Sequence, residues 1–197
     1  MKEFIKTVYE LYPKNISAIG SRNEYLTSIE HIELNKRLSD ENSIYGLSNI
    51  ELAKTRIESA FKTKIEDHTV NSWLDRCYNW QFLLNPKSKE SKKLVMCINI
   101  SKVKHIYIIY ILEVEFSETL GRLKYLPRRN LLFEQQKFKA EIEEIEEILS
   151  SELLMIKPFP KKKLDDRIID VSFQDIEIGD FTMFNAFFLN DFTTRFA

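Results

Sequence analysis

The residue pattern predicts an α+β fold in which a layer of three or four helices packs on a mainly antiparallel sheet of five or six strands. Three observations carry this expectation. Apolar residues recur at helical spacing through residues 1–66. From Asp67 onward β-branched and aromatic residues become dense and the helical period disappears. A second amphipathic helical pattern then follows, with further strand-like patches after it. With 197 residues, 44% of them hydrophobic and 12% aromatic, a single domain spanning 1–197 can bury a substantial core. Within it, 1–66 reads as the helical layer, 67–130 as the sheet and 131–197 as a helix plus C-terminal strands. No repeat, low-complexity tract or flexible linker divides the chain.

The first helix is expected over Met1–Tyr12, where Phe4, Ile5, Val8, Leu11 and Tyr12 share one face and Pro13 stops it. A second is expected from Arg22 to Leu38, carrying Tyr25, Leu26, Ile29 and Ile32. For a third, Ser48-Asn49-Ile50-Glu51 has the form of a capping box, with the helix running on to Thr63 and burying Leu52, Ile57, Ala60 and Phe61. Strands are expected at Thr69–Trp73, Tyr78–Leu84, Leu94–Ile100 and Ile106–Phe116, with Pro86-Lys87-Ser88-Lys89 as a polar hairpin turn. The run Ile106–Leu112 is wholly apolar, which suits a central strand covered on both faces. Phe133–Leu154 places Phe138, Ile142, Ile145, Leu149 and Leu153 on one helical face, before Pro158 and Pro160. The C-terminal patches Arg167–Phe173 and Asp180–Leu189 read as strands with Gly179 turning between them.

Charge is nearly balanced, 29 basic against 30 acidic side chains, so no global field favours nucleic acid or an anionic membrane. The balance conceals an asymmetry: residues 67–130 carry 11 basic and 6 acidic side chains, and residues 131–197 carry 8 and 14. Lys2, Glu3, Lys6 and Glu10 interrupt any signal-peptide core, and no stretch reaches the roughly 18 uninterrupted apolar residues of a membrane span. A cytoplasmic location with no membrane contact is therefore expected. Cys77 and Cys97 fall on two strands of one hairpin. Pairing Cys77 near Lys102 and Cys97 near Phe82 puts the thiols about four residues out of register, too far apart to bridge.

Catalytic and cofactor signatures are sparse. His31, His68 and His105 are dispersed and lack the short-range spacing of a zinc site. Four scattered glycines form no phosphate cradle, and no serine has the G-x-S-x-G setting of a nucleophile elbow. The run Glu141, Glu143, Glu144, Glu146 and Glu147 alternates with isoleucines and reads as the solvated face of a helix. No cofactor, metal or catalytic residue is assigned. The one conceivable enzymatic constellation is Asp67, His68 and Asp75. Arg122, Lys124, Arg128 and Arg129 could meet nucleic acid but sit in no recognisable binding motif, so no nucleic acid partner is assigned. In the acidic final third, Asp165, Asp166, Asp170, Asp175, Glu177 and Asp180 lie in loops and strand ends, where carboxylates can meet a basic partner protein.

Cys77-Tyr78-Asn79-Trp80 leads into a strand, an apolar hairpin follows with Tyr107 and Tyr110, and a late helix precedes Ile168-Ile169-Asp170-Val171 and the segment Gly179–Phe188. This order, over residues 67–190, resembles bacterial immunity-type proteins of polymorphic toxin systems. The resemblance implies a cytoplasmic, cofactor-free protein that binds a cognate toxin domain and occludes its active site or substrate path. The motif residues are hydrophobic framework, and the six carboxylates are assigned to the contact from charge alone. A small-ligand or regulatory binding module is the alternative. Exposed strand edges leave the oligomeric state open.

Overall fold

The computed structural model describes residues 1–39, 43–71, 74–84, 92–117, 122–130 and 135–190, with the side chains of 92, 115–117, 122–130 and 135 left aside. Six helices and six strands occur among them: α1 (Lys2–Leu11), α2 (Arg22–Thr27), α3 (Ile29–Leu38), α4 (Leu47–Phe61), β1 (Glu66–Asp67), β2 (Cys77–Leu83), β3 (Lys92–Ser101), β4 (Ile106–Ser117), β5 (Arg122–Asn130), α5 (Lys139–Glu152), β6 (Lys157–Pro158) and α6 (Met183–Phe187). The α+β class and the mainly antiparallel sheet are those expected. Strands run in the order β1-β2-β3-β4-β5, all antiparallel, and β6 adds a short parallel pairing to β4.

The alternation of β4 decides where the helices lie. Ile106, Ile108, Tyr110, Leu112 and Val114 point to one face, and Tyr107, Ile109 and Ile111 to the other. Because both sets are buried, both faces need a cover. On the first face α1, α3 and α6 contribute Val8, Leu11, Leu34, Phe184 and Phe187. On the second, α4 and α5 contribute Ile50, Ala53, Ile57, Ile142, Ile145 and Leu149. The N-terminal helices thus divide between the two faces.

Local chemistry explains the departures from expectation. The single helix expected over Arg22–Leu38 breaks at Ser28, whose extended backbone and hydroxyl, accepting from the His31 amide at 3.2 Å, cap α3. The Ser48 capping box does not form. Gly46, at φ 76, turns the chain into α4 two residues earlier, which puts Ser48 inside the first turn. The buried face of α4 is made by Ile50, Ala53 and Ile57, with Leu52 48% exposed and Ala60 exposed.

The first strand is only Glu66–Asp67; Thr69–Asn71 is irregular, and Ser72 and Trp73 lie outside the described residues, as does the 86–89 turn. β5 fills a stretch where no strand was expected. Helix α5 starts at Lys139, after a 3₁₀ turn over Gln135–Phe138, and buries the isoleucine face as expected. The Arg167–Phe173 patch forms no strand, only isolated bridges at Arg167↔Thr182 and Phe173↔Ile176. Over 180–189 the chain makes α6 rather than a strand. Thr182 Oγ1 accepts from the Asn185 amide while Asn185 Oδ1 accepts from the Thr182 amide, and this reciprocal cap fixes helical backbone where a run of buried aromatics would suit either state.

Candidate functional site

Residues 165–183 form a lobe whose Ile168, Val171, Phe173 and Phe181 are buried in the core of the first face. Its backbone folds back on itself: the Ile168 amide donates to Phe181 O at 2.8 Å, the Met183 amide to Asp166 O at 3.0 Å, and the Phe173 and Ile176 amides each donate to the other's carbonyl. The 15–25 segment stitches the lobe to the body. Asn15 donates its amide to Asp170 O, Ala18 its amide to Ser172 Oγ, and the Tyr25 hydroxyl donates to Ser172 O. A loop tied this often is held in one shape, so a partner would lose little entropy in engaging it.

All six sequence-predicted carboxylates lie in this lobe, and their environments separate them. Asp166 pairs with Lys163 at 3.0 Å, and Asp180 with Arg167 at 3.2 Å. Asp170 Oδ1 accepts from the Tyr9 hydroxyl and Asp175 Oδ1 from the Asn190 amide, both at 2.9 Å. Asp165 and Glu177 are exposed, and among the described residues no ion pair or side-chain hydrogen bond engages either carboxylate. Beside them Ile169 is 74% exposed and Ile178 39% exposed, although both follow buried or tethered backbone. Charge alone singled out the carboxylates; the two isoleucines carried no sequence signal separating them from core residues.

A cavity of about 370 Å³ opens next to the lobe, between α2, α3 and the Phe173 turn. Ile19, Leu26, Leu74 and Phe173 give it apolar walls, and Arg22, Tyr25, His31 and Gln174 supply polar edges. His31 is 3% exposed, its Nδ1 has no hydrogen-bond partner, and burial holds its pKa below the ordinary value, so the ring is neutral. Burial likewise raises the Tyr25 hydroxyl, against the opposing field of Arg76. Arg76 is itself 1% exposed. Its guanidinium donates to the carbonyls of Asn185 and Leu74 and to Asn190 Oδ1, and lies 4.4 Å from the Phe173 ring centroid. A lone arginine entering an apolar strand, as in Asp75-Arg76-Cys77-Tyr78, was the available sign of this buried cation; Arg22 and His31 gave none.

Asp67, His68 and Asp75 are each committed separately. Asp67 accepts from Lys54 and from the Thr69 amide, His68 Nε2 lies 3.2 Å from Glu66 Oε2, and Asp75 is buried with Oδ2 on the Val70 amide. The side chains of Arg122, Lys124, Arg128 and Arg129 lie outside the described residues. Among the described residues no helix is long and apolar enough to cross a membrane, and no group of three or more His, Cys, Asp or Glu side chains is placed to hold a metal ion. No family model, curated protein or solved structure matches the chain.

Proposed function

We propose that this chain is a non-enzymatic, cytoplasmic immunity-type protein whose 165–183 lobe binds a cognate toxin domain and occludes its active site or substrate path. The observation that supports this reading is the exposure of Ile169 and Ile178 on a lobe whose backbone is tied throughout, with the unengaged carboxylates of Asp165 and Glu177 in the same segment. Apolar anchors within a charged rim are the arrangement that protein contacts use: the anchors supply affinity, and the rim speeds encounter with a basic surface. The other four carboxylates act in this reading as internal ties that shape the lobe.

The test is co-expression with the C-terminal domain encoded by the upstream neighbouring gene, followed by co-purification and titration. A complex that Ile169→Glu weakens about thirtyfold, and that Asp165→Asn with Glu177→Gln slows in association, supports the reading. A complex insensitive to all three keeps protein binding but removes the lobe as its site. No complex with any neighbouring product removes the immunity reading.

A further inference from the structure

The α2–α3 cavity has features that the protein-binding reading does not use. Its volume of about 370 Å³ is that of a small-molecule site. Its walls are apolar, yet its surroundings are positively charged. Behind its wall lies a buried cation, Arg76, which is 1% exposed. Arg76 stands directly behind two wall residues, stacked on the Phe173 ring and bonded to the Leu74 carbonyl, and among the described residues its side-chain partners are neutral oxygens and a ring. Its field reaches the Tyr25 hydroxyl. At the edge of the cavity Arg22 is exposed, and among the described residues no carboxylate pairs with it.

Asp75 adjoins the wall residue Leu74 in sequence, and Asp175 adjoins Gln174. Asp175 is exposed and reached from Arg76 only through Asn190, and Asp75 is turned to the Val70 amide. Neither lines the cavity. Within the wall, His31 keeps its buried Nδ1 without a hydrogen-bond partner among the described residues. Positive potential, apolar walls and a few polar edges together select against cations and against polyhydroxylated ligands.

We infer that this cavity binds a small apolar monocarboxylate, with its hydrocarbon body against Leu26, Leu74 and Phe173 and its carboxylate on the Arg22 side of the opening. The site uses the inner side of the Phe173 turn, whereas the proposed toxin contact uses the outward Ile169 and Ile178, so each stands or falls separately.

Three probes of one shape and different charge test it on the full chain: phenylacetate, phenylacetamide and phenethylamine, titrated by calorimetry and by the His31 ring resonances. Phenylacetate is expected to bind at about 0.1–1 mM and to shift the His31 signals, with phenylacetamide about tenfold weaker and phenethylamine without measurable binding. Arg22→Gln should weaken phenylacetate about tenfold, and Leu26→Trp, which fills the opening from a half-exposed position, should abolish binding while the circular dichroism spectrum and melting curve stay those of the parent. Equal affinity for phenylacetate and phenylacetamide would overturn the charge argument. Absence of phenylacetate binding, or binding that Leu26→Trp leaves intact, would overturn the site.

Discussion

The Tyr9 hydroxyl donates to Asp170 Oδ1 at 2.9 Å, joining α1 to the acidic lobe across 161 positions of sequence. One of the carboxylates that composition offers to a partner is thereby an internal tie, and burial, then the hydrogen bond to Asp170 and its charge, raise the Tyr9 pKa above its ordinary value. Removing the hydroxyl with Tyr9→Phe should lower stability by about 1 kcal/mol. In urea titration the midpoint should fall with an unchanged slope; a change in slope would mean that the lobe detaches before the body unfolds.

The phase of α4 is open to a direct comparison. Ile57 is fully buried, whereas Leu52 is 48% exposed. Ile57→Ala should cost about 2–5 kcal/mol, and Leu52→Ala less than about 0.5 kcal/mol. Equal costs would contradict the burial of the Ile57 face of α4 against the exposure of Leu52.

Asn185 holds together the cap of α6 and the chain beyond it. Its Oδ1 accepts from the Thr182 amide, and its Nδ2 donates to the carbonyls of Leu189 and Asn190 at 3.1 and 2.6 Å. Asn185→Ala should therefore cost about 2–3 kcal/mol, against about 1 kcal/mol for Thr182→Ala, which removes the capping hydroxyl and a methyl but leaves the Asn185 side-chain bonds to Leu189 and Asn190. Thermal melts of the two variants separate these outcomes.

Protonation of His31 should weaken the fold. Burial depresses its folded pKa below the ordinary 6.5, so the unfolded chain binds the proton more readily. The contribution of His31 is then fully present above pH 6.5 and is lost as pH falls through the depressed folded value. Urea midpoints at about pH 7 and about pH 5 should differ less in His31→Gln than in the parent. A pH dependence unaltered by the substitution would place the titration elsewhere.

The two thiols should be inert in the native protein. Cys77 lies opposite Ser101, and Cys97 opposite Gln81, an offset of about 13 Å along the sheet. Both are buried, and burial raises the Cys97 thiol pKa, opposed in part by its hydrogen bond with Tyr110. Ellman's reagent should report two thiols after unfolding and none before. Early reaction of one would show that its strand opens locally.

Periodicity alone determined the class of the fold, the hairpin of β2 and β3, the central place of Ile106–Leu112 and the buried face of α5, because each rests on local patterns of burial with a period of two or of 3.6 residues. Composition likewise placed the six carboxylates in one acidic region. What tertiary structure decided was which of two locally acceptable states wins and which side chains meet. The aromatic run at 183–187 could be strand or helix until Thr182 and Asn185 closed on each other, and α4 began after Gly46 rather than after Ser48. The division of the carboxylates into ties and free ends depended on Tyr9, Lys163, Arg167 and Asn190, and the cavity joins Arg22, His31, Leu74 and Phe173 from segments far apart in the chain. Such meetings depend on how the layers stack, and a linear pattern carries no record of distances between elements.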